Sequence, residues 1–242
     1  MKLDLLVLAV HPDDAELGCS GTLLNEVNKG KKVGIIDFTR GELGSRGSAE
    51  IRDEEAKKAA EILKLSVREN LKFRDGFFKN DEEHQLKIIE KIRKYKPDVV
   101  ITNALHDRHP DHGRAGDLAN DALFLSGLRR IETFDEEGNP QEPHRPRLVL
   151  QMIQDRYIQP DIVVDVTNTW EQKLESIRAY SSQFFSSEYE GENEPQTYIS
   201  SPQFMKYIEA RAMEYGKNIG AEYGEGFTCR RLLGVKSISD IL

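Results

Sequence analysis

The chain has 242 residues, of which 38% are hydrophobic and 31% charged, and its formal net charge is −8. This length and composition suit one full hydrophobic core, so we expect residues 1–242 to form a single domain. The acidic balance argues against a nucleic-acid surface, because phosphate binding depends on clustered Lys and Arg that no run of this sequence supplies. We therefore expect a small-molecule substrate.

No stretch of the chain approaches the roughly 20 apolar residues needed to cross a bilayer. The first apolar run, 3–10, contains Asp4 and lacks a signal-peptide cleavage pattern, which predicts a cytoplasmic protein with no membrane partner. Cys19 and Cys229 are the only cysteines, and two distant thiols predict neither a disulfide framework nor a thiolate metal cluster.

Strand and helix patterns alternate along the chain. Continuous apolar runs, typical of strands covered on both faces, are followed by runs of helical periodicity. The predicted strands are 5–10, 33–38, 70–73, 99–102, 148–153 and 162–166, and the predicted helices are 15–29, 50–63, 82–95, 169–182 and 202–216. This alternation predicts an α/β fold with a doubly wound, mostly parallel sheet flanked by helices. The polar segment 186–197 predicts a surface connection, with a mobile lid as the alternative.

Two similar tetrapeptides each follow a predicted strand. HPDD at 11–14 follows the first strand, and HPDH at 109–112 follows the strand at 99–102. Because ligands bind beyond the carboxyl ends of parallel strands, both tetrapeptides can reach one crevice. Imidazole combined with carboxylate is the ligand set of catalytic zinc sites that keep one position open for water. The two tetrapeptides therefore predict a split metal site and a hydrolase.

The first tetrapeptide also has a purely structural interpretation. Asp13 stands where a helix cap is expected and Glu16 follows three residues later, a spacing typical of a capping box. The histidines favour the metal site, because three of the six in the chain lie between His106 and His112. A dinucleotide-binding turn is not expected, since no G-x-G-x-x-G spacing separates the first strand from its helix.

Four segments of the sequence match a known family. HPDDAELG at 11–18, GELGSRGSAEIR at 41–52, RHPDHGRAG at 108–116 and AEYGEGF at 221–227 resemble the LmbE/PIG-L superfamily of zinc-dependent N-acetylglucosamine de-N-acetylases. The resemblance spans essentially the whole chain and is strongest to the bacillithiol-pathway branch, which deacetylates N-acetylglucosaminyl malate. It implies a metal-dependent amidohydrolase acting on the acetamide of a small sugar conjugate, and a homo-oligomer.

The resemblance also implies roles for the residues of the two tetrapeptides. His11, Asp14 and His112 are the implied zinc ligands, with Fe²⁺ as the alternative ion in the cell, because supply decides occupancy. Asp13 is then free to act as the general base. His109, as an imidazolium, is expected to stabilise the oxyanion or protonate the departing amine.

Other residues near the tetrapeptides have two interpretations each. Asp111 either orients the His109 ring or caps a helix that begins at 112. His106 is the rival metal ligand, although the resemblance assigns it no role. His84 and His144 are expected on the surface.

Arginine suits a carboxylate-bearing substrate, because its planar fork binds carboxylates through two parallel hydrogen bonds. The resemblance associates Arg52 and Arg108 with substrate binding, and Asp75 with a sugar hydroxyl. The structural alternative for Arg52 is a solvated ion pair with the Glu three residues later. For Arg46 and Arg114, which also flank the crevice, we favour the structural interpretation.

Three functions compete at this point. The first is hydrolysis of the acetamide of N-acetylglucosaminyl malate, and the second keeps the mechanism but changes the substrate to a chito-oligosaccharide, an inositol conjugate or a mycothiol-type conjugate. The third is a metal-binding module without turnover, which the fold alone does not exclude. Asp13 favours an enzyme, because a mere binding site has no need of a free carboxylate beside a ligand.

Overall fold

A seven-stranded sheet forms the centre of the computed structural model, which describes residues 1–186, 189 and 194–241. The strands are β1 (Leu5–Ala9), β2 (Val33–Thr39), β3 (Val67–Phe73), β4 (Val99–Thr102), β5 (Leu148–Met152), β6 (Ile162–Asp165) and β7 (Gly224–Thr228). The helices are α1 (Asp14–Asn28), α2 (Ala49–Ile62), α3 (Glu82–Tyr95), α4 (Pro110–Leu125), α5 (Trp170–Arg178) and α6 (Pro202–Ile219). None of these helices is long and apolar enough to span a bilayer.

Strands β1 to β5 are parallel, which confirms the predicted doubly wound fold. The strand order is β3-β2-β1-β4-β5-β7-β6. β1 pairs with β2 on one side and β4 on the other, so Val7 lies between Ile35 and Ile101. The chain therefore winds outward in both directions from the β1–β4 pair, and ligands bind at this switch point in sheets of this class.

The apolar run of β1 is continuous because both faces of the strand are covered. Leu6 and Leu8 belong to a core that includes Leu118 of α4, whereas Val7 belongs to the opposite core with Leu23 of α1. Successive strand residues point to opposite faces, so two buried faces require apolar residues at every position. The same packing holds His11, two residues after β1, at a fixed place on the sheet edge.

Several element boundaries differ from those expected. β3 begins at residue 67 rather than 70, because its partly exposed charged side chains conceal the strand pattern. α4 begins at Pro110 rather than 112, and α5 ends at Arg178 rather than 182. Half of the polar segment 186–197 lies outside the described residues.

The sequence pattern does not predict strand β7. It is short and contains two glycines, and it lies antiparallel between β5 and β6. A Cβ added at Gly226 would lie 2.8 Å from the ring of Tyr215, so close helix packing requires a residue without a side chain there. The close packing of α6 on this strand explains a composition that otherwise argues against a strand.

A buried ion pair inserts into the middle of α1. Lys173 Nζ donates hydrogen bonds to two backbone carbonyls of α1, while Glu225 accepts from the backbone N–H groups of Gly21 and Thr22. Lys173 Nζ also lies 2.7 Å from Glu225 Oε1. The pair therefore ties α5 and β7 to the helix whose first turn carries Asp14.

Candidate metal centre

The carboxyl ends of β1 and β4 bring the two tetrapeptides together. One cavity of about 420 Å³ is lined by His11, Asp13, Asp14, His109 and His112. The ring centroids of His11 and His109 are 5.0 Å apart, and those of His109 and His112 are 5.1 Å apart. The expected convergence of these five residues at the switch point is present in the structure.

The Asp14 carboxylate lies between the two rings expected to bind the metal. Its Oδ1 is 3.2 Å from His112 Nε2, and its Oδ2 is 3.7 Å from His11 Nδ1. Asn103 and Gln154 donate amide hydrogen bonds to this carboxylate at 3.0 and 2.9 Å, which fixes its orientation. Two imidazole nitrogens and one carboxylate form a donor set that suits a catalytic zinc.

Each of the two rings has a second carboxylate behind it. His112 Nδ1 is 2.5 Å from Asp107 Oδ2, and His11 Nε2 is 3.0 Å from Asp75 Oδ1. A carboxylate bonded to one ring nitrogen holds the ring so that its other nitrogen can face a metal. Asp75, expected to bind a sugar hydroxyl, therefore contacts a proposed metal ligand. Asp107 is a functional candidate that the sequence pattern did not indicate.

The electrostatics of the site favour positive charge at its centre. Burial opposes protonation of His11, but hydrogen bonds with Asp111 and Asp75 outweigh it and raise the pKa to about 10. Burial also opposes protonation of His112, whose pKa rises to about 9 through the Asp14 charge and the Asp107 hydrogen bond. A field that holds protons on both rings also attracts a divalent cation, which would displace them. The residues present therefore fit a metal ion.

Two further groups of donor atoms overlap with this set. Within the described residues, the donor atoms that lie within 4.8 Å of one another form the groups His11, His109, His112 and His11, Asp75, Asp111, and neither group contains Asp14. In the second group, both carboxylates already accept backbone N–H groups. In the first group, His109 takes the place of Asp14, so the metal content of a His109 variant distinguishes the two sets.

Asp13 has a strained backbone, and a hydrogen bond holds one of its two carboxylate oxygens. Its φ is 124°, a region that non-glycine residues rarely adopt. Oδ2 accepts a 2.7 Å hydrogen bond from Arg52 Nη2, and no other hydrogen bond from the described residues reaches this carboxylate. Burial raises the pKa of Asp13 to about 7, although the Arg52 charge lowers it in part.

The capping-box interpretation of the first tetrapeptide is wrong. The Asp13 side chain makes no capping hydrogen bond to α1. Glu16 is fully buried and binds Arg68 at 2.5 Å instead of reaching back to the start of the helix. Asp13 is therefore available for chemistry in the cavity.

The Asp111 carboxylate does not orient the His109 ring. It accepts hydrogen bonds of 2.9 Å from the Gly76 backbone N–H and from Arg114 Nη1. Instead, the Asp111 backbone N–H donates to His109 Nδ1 at 3.3 Å, which assigns the ring proton to Nε2. Burial and the positive charge of the two neighbouring rings lower the pKa of His109. Both effects favour the neutral form of His109 over the expected imidazolium.

Arg52 contacts Asp13 rather than solvent. Its Nη2 donates to Asp13 and to the Pro12 carbonyl, each at 2.7 Å, and its side chain is only 6% exposed. The neighbouring Gly41 has a φ of 64°, and a side chain there would collide with the Arg52 guanidinium. Glu55 is occupied by Ser182, so the solvated pair that we considered for Arg52 does not form.

The other three arginines of the crevice have different partners. Arg108 is half-exposed, lies 2.9 Å from Asp155 and stacks over the Tyr198 ring. Arg46 donates to the Ser182 carbonyl, and Arg114 binds Asp111 as described above. Arg108 therefore still reaches the cavity, whereas the guanidinium of Arg114 mainly stabilises the loops around the cavity.

The remaining histidines lie outside the centre. His106 is exposed, and it lines neither the cavity described above nor a second cavity that adjoins that one. His84 contacts Asp81, and His144 Nε2 lies 2.7 Å from the Pro97 carbonyl oxygen. His84 and His144 are partly buried, contrary to the expectation that they lie on the surface.

A second cavity of about 330 Å³ shares Asp14 and His112 with the first. We call this second cavity the aromatic lobe. Its walls include Tyr157, Tyr198, Phe204 and Tyr207, with the two arginines Arg108 and Arg211. We call the first cavity the polar lobe, because Ser45, Arg46, Arg52 and Gln183 line its far side. The candidate site thus has two lobes of different character that meet at the proposed metal ligands.

Comparison with known proteins agrees with this geometry. The PIG-L family, described as GlcNAc-PI de-N-acetylase, matches residues 6–123. Diacetylchitobiose deacetylase from Thermococcus kodakarensis is 30% identical over 92% of this chain and 81% of its own. A probable N-acetyl-alpha-D-glucosaminyl L-malate deacetylase 2 from Bacillus subtilis is 25% identical over 76% of this chain and 84% of its own.

The solved structures show the same fold. The conserved protein TT1542 from Thermus thermophilus is 35% identical, with a TM-score of 0.84 over 97% of this chain and 98% of its own. The fold and the His/Asp site define a deacetylase of the amidohydrolase class. The chain belongs to the PIG-L/LmbE family, and its relatives support an activity on N-acetylglucosamine-type substrates.

Proposed function

We propose that this protein is a zinc-dependent deacetylase of a small N-acetylglucosamine conjugate, with N-acetylglucosaminyl malate as the first candidate substrate. The observation that carries the proposal is the Asp14 carboxylate between two carboxylate-backed histidines, beside a separate carboxylate at Asp13. A metal site that served structure alone would need neither the open cavity nor the Asp13 carboxylate. The arrangement matches the requirements of amide hydrolysis.

The proposed ligands are His11, Asp14 and His112. Zinc held there supplies a Lewis acid that polarises the acetamide carbonyl and lowers the pKa of water. Asp13 acts as the general base and takes a proton from the attacking water. Arg52 is a positioning residue, because it holds one oxygen of Asp13 and leaves the other free for this proton transfer.

His109 and Asp13 share the remaining steps. The neutral His109 ring presents its Nε2–H to the acetamide oxygen as that oxygen gains negative charge. Asp13, protonated after the first step, returns the proton to the departing nitrogen, so that acetate and a free amine leave. A pKa near neutrality suits a group that both accepts and donates a proton.

A second substrate has a specific observation in its favour. The T. kodakarensis relative, which is 30% identical, is a diacetylchitobiose deacetylase, and its substrate by name is a neutral disaccharide. The aromatic lobe could stack a second sugar ring as readily as it encloses another substituent. The mechanism is the same for both substrates, so only the group attached to the reacting sugar differs.

An assay of released amine tests the proposal. Zinc-loaded protein is incubated with N-acetylglucosaminyl malate, diacetylchitobiose and N-acetylglucosamine, and the Asp13→Asn variant with the same zinc content is the control. We expect release from at least one conjugate by the wild type and very little by the variant. Absence of release from all three substrates, or equal release by the variant, would contradict the proposed function.

A further inference from the structure

The aromatic lobe contains a cation that the proposed reaction does not use. Arg211 lies on α6 and lines the lobe together with His112 and Asp14, and it also borders a small space of about 20 Å³ beside Lys173 and Glu225. The other arginine of the lobe, Arg108, is already paired with Asp155. Arg211 is therefore the arginine of this lobe that has no ion-pair partner among the described residues.

Arg211 differs from the other enclosed arginines of the chain. Arg93 donates to three backbone carbonyls and one hydroxyl, and Arg68 binds two carboxylates. In the part of the chain that the structure describes, the Arg211 guanidinium has neither a hydrogen bond nor an ion pair. Burial lowers its pKa, as expected for a cation that has lost water without gaining an acceptor.

Arg211 is partly exposed, and its guanidinium has five N–H donors without an acceptor among the described residues. Sequences retain such groups where a ligand supplies the missing acceptors. The planar fork matches a carboxylate, which can accept two parallel hydrogen bonds. The acids around it do not take this role, since Asp155 is bound to Arg108 and Asp107 to one of the proposed metal ligands. Glu214 also lines the lobe, but it forms no ion pair with Arg211 within the described residues.

We propose that Arg211 binds a carboxylate on the substituent attached to the N-acetylated sugar, so that the aromatic lobe selects acidic conjugates over neutral ones. The inference rests on the proposed function and adds the residue that recognises the substituent. The acetamido sugar then occupies the polar lobe, and the carboxylate-bearing group enters the aromatic lobe past His112 and Asp14. Arg211 acts in binding and has no part in the chemical step.

The test compares an acidic with a neutral substrate. The kcat and KM values for N-acetylglucosaminyl malate and diacetylchitobiose are measured with the wild type, Arg211→Gln and Arg211→Lys. For Arg211→Gln we expect the KM of the malate conjugate to rise about 10- to 100-fold, the usual effect of losing a charged hydrogen bond, with kcat nearly unchanged. The values for diacetylchitobiose should stay within about 2-fold of the wild type, and Arg211→Lys should restore part of the loss.

Lys206→Gln is the matched control, because Lys206 is an exposed cation on the same helix and does not line the lobe. It changes the net charge equally and should leave both substrates unaffected. Equal losses on both substrates with Arg211→Gln would indicate a structural role and overturn the inference. An unchanged KM for the malate conjugate would also overturn it.

A binding measurement separates this inference from the proposed function. L-Malate is titrated into zinc-loaded wild type and Arg211→Gln by calorimetry, with the fold of each checked by thermal melting. Weaker malate binding by at least about 10-fold in the variant supports the carboxylate site even if neither sugar is hydrolysed. Equal affinity in the two proteins contradicts the site, even if the wild type deacetylates both substrates.

Discussion

Two groups of buried charges contact the same helix, α1: one faces the cavity of about 420 Å³, and the other borders a space of only about 20 Å³. At the first turn of the helix, Asp14 lies beside His11 and His112, and despite their burial the charges and hydrogen bonds of the surrounding acids raise the pKa values of both rings. In its middle, Lys173 and Glu225 form a closed pair whose side chains are 2% and 4% exposed. An uncompensated charge open to a cavity is typical of a functional site, whereas in a closed pair each charge offsets the cost of burying the other.

The largest effect is expected from removing a proposed ligand. His112→Ala removes one nitrogen of the donor set and leaves Asp107 without its ring partner, so the protein should lose its zinc and essentially all turnover. Elemental analysis of the purified variant is the measurement. His144→Ala is the control, because His144 lies outside the site, and a full zinc content in His112→Ala would show that the ligand set is wrong.

Removing the proposed base should affect turnover without affecting the metal. Asp13→Asn keeps the size and the Arg52 contact but cannot accept the proton, so kcat should fall by about 10² to 10⁴ with zinc content unchanged. Amine release and elemental analysis on the same sample provide both values. Loss of zinc from this variant would instead make Asp13 a ligand.

His109 distinguishes the two overlapping donor sets. If Asp14 completes the metal site, His109→Gln should retain zinc and lose turnover by about 10² to 10³, the usual effect of removing one oxyanion donor. Zinc content is measured beside kcat. A variant without zinc would favour the three-histidine set, and one with normal kcat would leave His109 without a role in the reaction.

For the closed pair of Lys173 and Glu225, we expect a substitution to lower stability without affecting zinc content or turnover. Lys173→Met leaves the buried Glu225 carboxylate without its cation, which should lower the free energy of unfolding by about 3 to 5 kcal/mol. Urea denaturation measures this change, and zinc content and kcat of the folded fraction should remain near the wild-type values. The control is Lys29→Met, an exposed partner of Glu26, with an expected effect below about 1 kcal/mol. If Lys173→Met lowered the zinc content and left the free energy of unfolding unchanged, the contrast between the closed pair and the charges around Asp14 would be wrong.

A partly exposed cluster should show the smallest effect and a defined pH dependence. Burial opposes ionisation of Glu69, but hydrogen bonds from Lys91 and Tyr95 outweigh it and lower the pKa to about 2. Glu69 has a lower pKa in the folded protein than in the unfolded chain. Its contribution to the free energy of unfolding is therefore complete above the unfolded-state pKa of about 4.5 and is lost as the pH falls toward 2.

The comparison of wild type with Glu69→Gln tests this dependence. Solvent screening limits the difference in free energy of unfolding between wild type and Glu69→Gln to less than about 1 kcal/mol at pH 7. We expect this difference to become smaller as the pH falls below about 4.5. Denaturant titrations of both proteins at pH 7 and pH 4 measure it. A difference that grows on acidification would contradict the sign of the pKa shift.

The sequence predicts the parallel core of the fold and the convergence of the two tetrapeptides. Both follow from local patterns, since continuous apolar runs mark strands buried on both faces and the tetrapeptides stand directly after two of them. β7 could not be predicted, because its glycines are explained by the packing of Tyr215, a contact made only after folding.

The residues behind the metal ligands were missed for a related reason. Asp107, Asn103 and Gln154 are single polar residues in loops, and their contacts depend on which strands become neighbours in the sheet. Nor does the sequence distinguish Arg211 from other cations of an amphipathic helix, because its lack of a partner is a property of the folded cavity. His109 shows a further limit, since its lowered pKa follows from burial among charged rings.

The most direct test of the central claim is a zinc titration of chelator-treated protein, with amine release from the best N-acetylglucosamine conjugate as the measured rate. The account predicts no release without metal and a linear rise that ends at about one zinc per chain, because one set of His11, Asp14 and His112 binds one ion. The His112→Ala variant should show no such rise. Full activity in the chelated protein, verified to contain no metal, would contradict the account.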